Sequence, residues 1–140
     1  MSTAYDSNNI FAKILRGEIP CFRLYEDERT LAFMDIMPAT DGHCLVIPKT
    51  PARNIFDCPA EDLAAVTAVV QKLALATRKA FSADGVTIQQ FNEAAGGQEV
   101  FHLHFHVIPR KEGEKLRPLP RSVADMAELG RQADAIRAAL

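Results

Sequence analysis

Apolar and polar residues alternate strictly along Phe101–Val107, the first part of the stretch FHLHFHVIPR that runs to Arg110. A period of two marks a β-strand, whose successive side chains point to opposite faces. The pattern predicts His102, His104 and His106 on one face, and Leu103, Phe105 and Val107 on the other, turned to a core. Pro109 brings no N–H to a ladder and is expected to end the strand. Shorter runs predict four more strands: Phe22–Glu26, Thr30–Met34, a buried His43–Pro48, and Val86–Phe91. The charged turn EDER makes a hairpin of the first two.

Helical spacing appears in three places. Ile10, Phe11, Ile14 and Leu15 form one face of a short helix, capped by Asn8 or Asn9 and stopped at Gly17. The longest helix is predicted from Asp57 or Cys58 to about Phe81, with Pro59 in its first turn and Glu61 and Asp62 at its positive end. Its apolar stripe comprises Leu63, Val66, Val69, Val70, Leu73 and Leu75. Ser122–Asp125, SVAD, resembles a capping box with Asp in place of Glu, opening a C-terminal helix to Leu140. Residues 1–7 are polar and expected to be mobile. Strands in runs with helices inserted give an α+β class with an antiparallel sheet. The long helix leaves the topology open, since it could also serve a crossover.

With 140 residues, the chain fits one domain with a real core. A net charge of −2 gives no support for a nucleic-acid or membrane surface. Arg110, Lys111, Lys115, Arg117 and Arg121 gather late, more in the manner of a solvated tail than of a phosphate patch. Cys21, Cys44 and Cys58 are isolated, so neither a disulfide framework nor a cysteine zinc site is indicated, and a reducing cytoplasm fits. The N-terminus lacks a signal-peptide pattern, and no apolar run approaches a membrane span.

Three uses of the histidine face compete. It could be the solvated side of an edge strand, although three histidines in five positions is an odd composition for that. It could bind a metal, with His43 as a further ligand. It could perform metal-free nucleophilic and acid–base chemistry, one ring neutral while another carries a proton. The third is favoured, because crowding discourages a second protonation. Gly96 and Gly97, just before the histidines, suit either a tight turn or a phosphate cradle. Asp35 suits either a turn or hydrogen bonds to sugar hydroxyls.

HLHFHVI resembles the His-φ-His-φ-His-φ-φ pattern (φ apolar) of the histidine triad superfamily. IFAKILRGEIP, LAFMDIMPATDGHCLVIPK and NEAAGGQEVFHLHFHVIPR together resemble its nucleotide-binding branch. The resemblance implies a HIT-like α+β fold with a five-stranded antiparallel sheet, in a single domain whose core spans about 9–110. A C-terminal helical extension, about 118–140, lies outside it. It implies His104 as the nucleophile on an α-phosphorus, forming a covalent nucleotidyl-histidine that water hydrolyses. It implies His106 at the α-phosphate and leaving group, with His102 and His43 orienting the nucleophile. Asp35 would bind the ribose, and Phe11, Ile14, Phe33 and Ile36 a purine base. Asn92, Gly97, Gln98 and Val100 would form the phosphate loop.

The implied activity is hydrolysis of nucleoside phosphoramidates (AMP-amines) by a homodimer, with no cofactor. The alternatives are a dinucleoside polyphosphate hydrolase, or a nucleotide-binding regulatory protein whose catalysis is incidental. The chain departs from the pattern in two respects. Glu99 stands where many relatives have Ser or Thr, and an ionised carboxylate cannot donate toward a leaving group and repels a polyphosphate. Asn9 and Ala12 stand where some bacterial relatives have zinc-binding cysteines, so that zinc is not expected.

Overall fold

The computed structural model describes residues 4–140. Five strands form one sheet: β1 (Arg23–Glu26), β2 (Thr30–Met34), β3 (Cys44–Pro48), β4 (Gly85–Gln89) and β5 (Phe105–Arg110). Their order across the sheet is β1-β2-β3-β5-β4, and every neighbouring pair is antiparallel. β3 and β4 therefore run parallel to each other with β5 between them. The helix that joins them, α2 (Ala60–Ala80), is a crossover. α1 (Ile10–Leu15) precedes the sheet, and α3 (Met126–Ala139) ends the chain.

The period-two pattern distributes the core. Ala32, Met34, Cys44, Val46 and Val107 face α2 and α3, packing on Val66, Val69, Leu73, Leu129, Ala133 and Ile136. Leu31, Phe33, Leu45 and Ile47 face the other way, onto Phe11 and Ile14 of α1. β2 and β3 are buried along their whole length because both faces are covered. In α2, Leu75 is 63% exposed and lies off the apolar stripe. The 3.6-residue period carries the stripe from Leu73 to Ala76 and Thr77 instead.

The histidine stretch is shorter as a strand than its alternation predicts. β5 begins at Phe105, so His102 and His104 lie in the approach to the strand and only His106 lies within it. The Leu103 N–H is taken by the Ala52 carbonyl, which draws the approach out of the ladder. Leu103 and Val107 are nevertheless buried, so the inward half of the prediction holds. Pro109 does not end the strand. It pairs with Val86 of β4, while pairing with β3 covers only residues 105–107, so no β3 acceptor lies opposite the missing N–H.

The C-terminal helix begins at Met126. Its cap is Asp125, whose carboxylate accepts from the Glu128 N–H at 3.0 Å; Ser122 lies outside it. Of the leader, residues 1–3 lie outside the described residues. Residues 5–7 are anchored, contrary to the expected mobility: Arg16 Nη1 donates to the Ser7 carbonyl, and Tyr5 reaches the histidines. Gly42, at φ +86°, turns the chain into β3. A Cβ there would lie 2.6 Å from the Phe81 ring, so glycine is required twice over. Among the described residues no helix is long and apolar enough to cross a membrane. All three cysteines are free.

Candidate active site

The four histidines converge on the α1 side of the sheet. His106 sits opposite Leu45 on β3 and Gln89 on β4, and His43 immediately precedes β3. The ring centroids of His104 and His106 are 5.1 Å apart, as are those of His43 and His106. Phe11 of α1 meets His104 edge-on at 4.9 Å, and Phe91 meets His106 at 5.7 Å.

Backbone partners fix the proton positions, assigned by asking which ring nitrogen faces a donor and which an acceptor. The His104 Nδ1 lies 2.7 Å from the His102 carbonyl, so Nδ1 carries the hydrogen and Nε2 keeps a bare lone pair. The His102 Nε2 donates to the Pro48 carbonyl at 2.8 Å, leaving Nδ1 to accept from the Tyr5 hydroxyl at 2.6 Å. The His43 Nδ1 accepts from the Ala39 N–H at 2.9 Å, so Nε2 carries the hydrogen. That N–H points at His106 Nδ1, 2.9 Å away, which leaves His106 with its hydrogen on Nε2. The site thus presents a lone pair on His104 and a donor on His106. Neither Nε2 has a partner among the described residues.

Burial keeps all four rings neutral. Desolvation drives His43 down to about 3, helped by the neighbouring His106 and by Arg121 and Arg117. It drives His102 and His106 down to about 4. His104 is also lowered by burial, against the opposing pull of its bond to the His102 carbonyl and the charge of Glu99. Asp35 is raised to about 6 by desolvation, against the Met37 N–H that its Oδ1 accepts at 2.8 Å and the charge of Arg121. The 3.4 Å approach of His43 Nε2 to Asp35 Oδ2 has the geometry of an ion pair. With His43 neutral it is a weak second acceptor for the same hydrogen. Asp35, His43 and His106 could each offer a ligand atom to a cation. At 2.9 Å, however, His43 and His106 already share a hydrogen, which a metal would have to displace.

The remaining predicted site residues fall into two groups. Phe11, Ile14 and Phe33 are buried together behind His104, while Ile36 is 39% exposed and gives its carbonyl to the Ala124 N–H. In the loop before β5, the side chains of Asn92 and Gln98 are used within the protein. Asn92 accepts from the Ile55 N–H and exchanges hydrogen bonds with Gln90. Gln98 is buried, accepting from the Glu93 N–H and donating to the carbonyls of Arg53 and Val100. Gly97 turns in the left-handed region, at φ +93°, against the Phe91 ring. Val100 packs on the α1-side core, and Glu99 is exposed, its charge acting on His104. The loop therefore offers a ligand its backbone and Glu99.

Several participants were not assigned to the site from the sequence. Arg53 forks onto Glu93 through Nε and Nη2 at 2.8 and 2.9 Å and lies over the Phe101 ring. Buried Asn54 joins Glu93 to Gln98. Arg121 belongs to a segment laced back by Arg117 N–H to Ala39 O and Ala124 N–H to Ile36 O. Its charge acts on Asp35, His43 and His106, so it is no solvated tail residue. Tyr5 lies in the stretch expected to be mobile. No local sequence signal marks Arg53, Asn54 or Tyr5, and Arg121 stood in the late basic cluster read as a solvated tail; their roles arise from contacts across the fold.

The model of the HIT domain matches residues 16–113. The chain is 39% identical over 115 residues to adenylylsulfatase HINT3 of Arabidopsis thaliana, a match spanning 82% of this chain and 58% of that longer protein. It is 36% identical over 128 residues to adenosine 5'-monophosphoramidase HNT1 of Saccharomyces cerevisiae, 90% of this chain and 78% of that one. Among solved structures, a Hit-like protein of Bartonella henselae aligns with a TM-score of 0.92 at 55% identity, covering 98% of this chain and 100% of that one. A zinc-bound histidine triad family protein of Mycobacterium smegmatis aligns with a TM-score of 0.84 at 41% identity, covering 94% and 92%. With the match running through the whole sheet and the converging histidines, the chain belongs to the HIT domain family.

Proposed function

We propose that the protein hydrolyses purine nucleotide derivatives at the α-phosphate through a nucleotidyl-histidine intermediate on His104, with nucleoside phosphoramidates as the preferred class. The observation that carries this is the 2.7 Å bond from His104 Nδ1–H to the His102 carbonyl, which leaves Nε2 as a buried, neutral nucleophile. In the first half-reaction His104 Nε2 bonds to phosphorus and the P–N bond breaks, the amine leaving with a proton. Positive charge then developing on the His104 ring is met at Nδ1–H by the carbonyl. His106 Nε2–H faces the phosphoryl group. A bound anion raises the pKa of His106 from about 4, which allows it to protonate the departing amine. In the second half-reaction water bonds to phosphorus and the Nε2–P bond breaks, the water giving a proton back to His106. Asp35 would hold the ribose, and Phe11, Phe33 and Ile36 the base. The names of the relatives HINT3 and HNT1, an adenylylsulfatase and an AMP phosphoramidase, support attack at an adenylyl phosphorus.

A second reading, with an anionic leaving group such as sulfate or a nucleoside phosphate, is favoured by one observation. The terminal nitrogens of Arg121 have no partner among the described residues, and its charge reaches the site. Glu99 opposes it. Turnover of an AMP-amine, adenylyl sulfate and a diadenosine polyphosphate, compared directly, separates the two. Mass spectrometry of protein quenched during turnover tests the mechanism itself. An AMP-sized adduct on His104, absent from His104→Ala, is expected. Brisk turnover in His104→Ala would overturn the assignment of the nucleophile.

A further inference from the structure

Tyr5 lies outside the matched domain, which begins at residue 16, yet its hydroxyl is 2.6 Å from a triad nitrogen. The His102 ring is held at both ends. Nε2 donates to Pro48 O on β3, and Nδ1 accepts from Tyr5, whose ring also stands edge-on at 5.5 Å. His102 is wholly buried, so water does not substitute for either partner. The carbonyl of this same residue takes the His104 Nδ1–H. A residue whose side chain is pinned at both nitrogens has a carbonyl fixed in place, and that carbonyl decides which nitrogen of His104 is bare.

The strap that carries Tyr5 is itself tied down. Asn8 N–H donates to the Asp6 carboxylate, Asn9 Nδ2 donates to the Asp6 carbonyl, and Arg16 Nη1 donates to the Ser7 carbonyl. Asn9 Oδ1 then caps α1 through the Ala12 N–H, and α1 sets Phe11 against His104. Strap and helix thus form one unit that touches both His102 and His104.

We infer that Tyr5 is a positioning residue for the reaction: its hydroxyl locks His102, and through the His102 carbonyl it holds His104 in the tautomer that attacks. The inference rests on the function proposed above. It also explains why residues 5–7, expected to be mobile, are tied to the fold. Among the described residues, the groups acting on the His102 ring are Tyr5, Pro48 O, His104 and Asp57. Tyr5 is the one among them that donates a hydrogen to it.

The test is Tyr5→Phe in the full chain, which removes one oxygen and keeps the ring. Nitrogen-15 NMR of the imidazoles reads the lock without any substrate. In the wild type, His102 is expected as the Nε2–H tautomer and His104 as a single Nδ1–H tautomer. In the variant, the His102 Nδ1 resonance shifts as its donor is lost, and His104 becomes a mixture of tautomers. With an AMP-amine, kcat falls about tenfold, the cost of one buried hydrogen bond, while KM stays within about twofold. A single unchanged His104 tautomer in the variant would overturn the inference, as would unchanged kcat. If the wild type turns over no nucleotide, the proposed function fails, and the tautomer comparison still decides whether Tyr5 sets His104.

Discussion

The Nε2 of His43 lies 2.9 Å from the Nδ1 of His106, and the Ala39 N–H at the other His43 nitrogen settles which of the pair donates. One backbone amide thereby sets the hydrogen on the outward nitrogen of a ring two residues removed from the proposed nucleophile. His43→Ala removes that relay and leaves the Ala39 N–H unsatisfied in a buried site. We expect kcat on an AMP-amine to fall about 10- to 100-fold, with a smaller change in KM. Steady-state kinetics of the variant checks this, and an unchanged kcat would show that His106 needs no partner.

Buried neutral histidines make the fold sensitive to acid. His43, His102 and His106 titrate near 3 to 4 when folded and near 6.5 when unfolded, so between those values the unfolded chain binds more protons. Stability therefore falls as pH drops from about 6.5 toward 4. For His102 alone the loss approaches about 3 kcal/mol across that window. Asp35, raised to about 6, acts in the opposite direction between its unfolded value and about 6, and offsets one of the three. Urea melts at pH 7, 5.5 and 4.5 should show a falling midpoint. A flat profile would contradict neutral burial.

Glu99 raises the proton affinity of His104 across an exposed approach. Glu99→Ser removes that charge and supplies a donor. The acid limb of the kcat/KM profile, where His104 becomes protonated, should move to lower pH. Turnover of diadenosine polyphosphates should rise by more than that of an uncharged-amine phosphoramidate, by roughly a factor of ten for one like charge removed at close range. Equal effects on both substrates would place Glu99 away from the leaving group.

Asn54 connects the carboxylate of Glu93 to the amide of Gln98 while buried at 1% exposure. Asn54→Ala leaves those acceptors short of a donor and should destabilise the protein by about 1–3 kcal/mol. Because the loop it braces leads directly into the histidines, KM should rise. Thermal melts and kinetics of one preparation check both effects together.

Much of this was legible in the sequence where local chemistry decides. The continuous apolar runs in TLAFM and HCLVIP marked two strands covered on both faces, and Asn9 capped its helix as its side chain dictates. The four histidines converge because three are two apart and the fourth immediately precedes β3, which pairs with β5. What was not legible depends on partners distant in sequence. The approach to β5 leaves the ladder because Ala52, some fifty residues earlier, claims the Leu103 N–H. Pro109 stays in its strand because β3 stops short of it. Gln98 resembles a phosphate ligand until its amide is seen spent on Arg53, Val100 and Glu93.

The position of β5 between β3 and β4 bears on how the molecule comes into being. β5 is the last strand in the chain and an inner strand of the sheet. As the polypeptide emerges, β1, β2 and β3 can pair at once, but β4 has no neighbour until residues 105–110 arrive. These long-range pairings make sheet completion slow relative to the hairpin. The strand that closes the sheet also carries His106 and draws in His102 and His104 behind it. The four histidines therefore come together in the same event that closes the sheet, and an incomplete chain presents an open β3 edge with His43 alone of the four beside it.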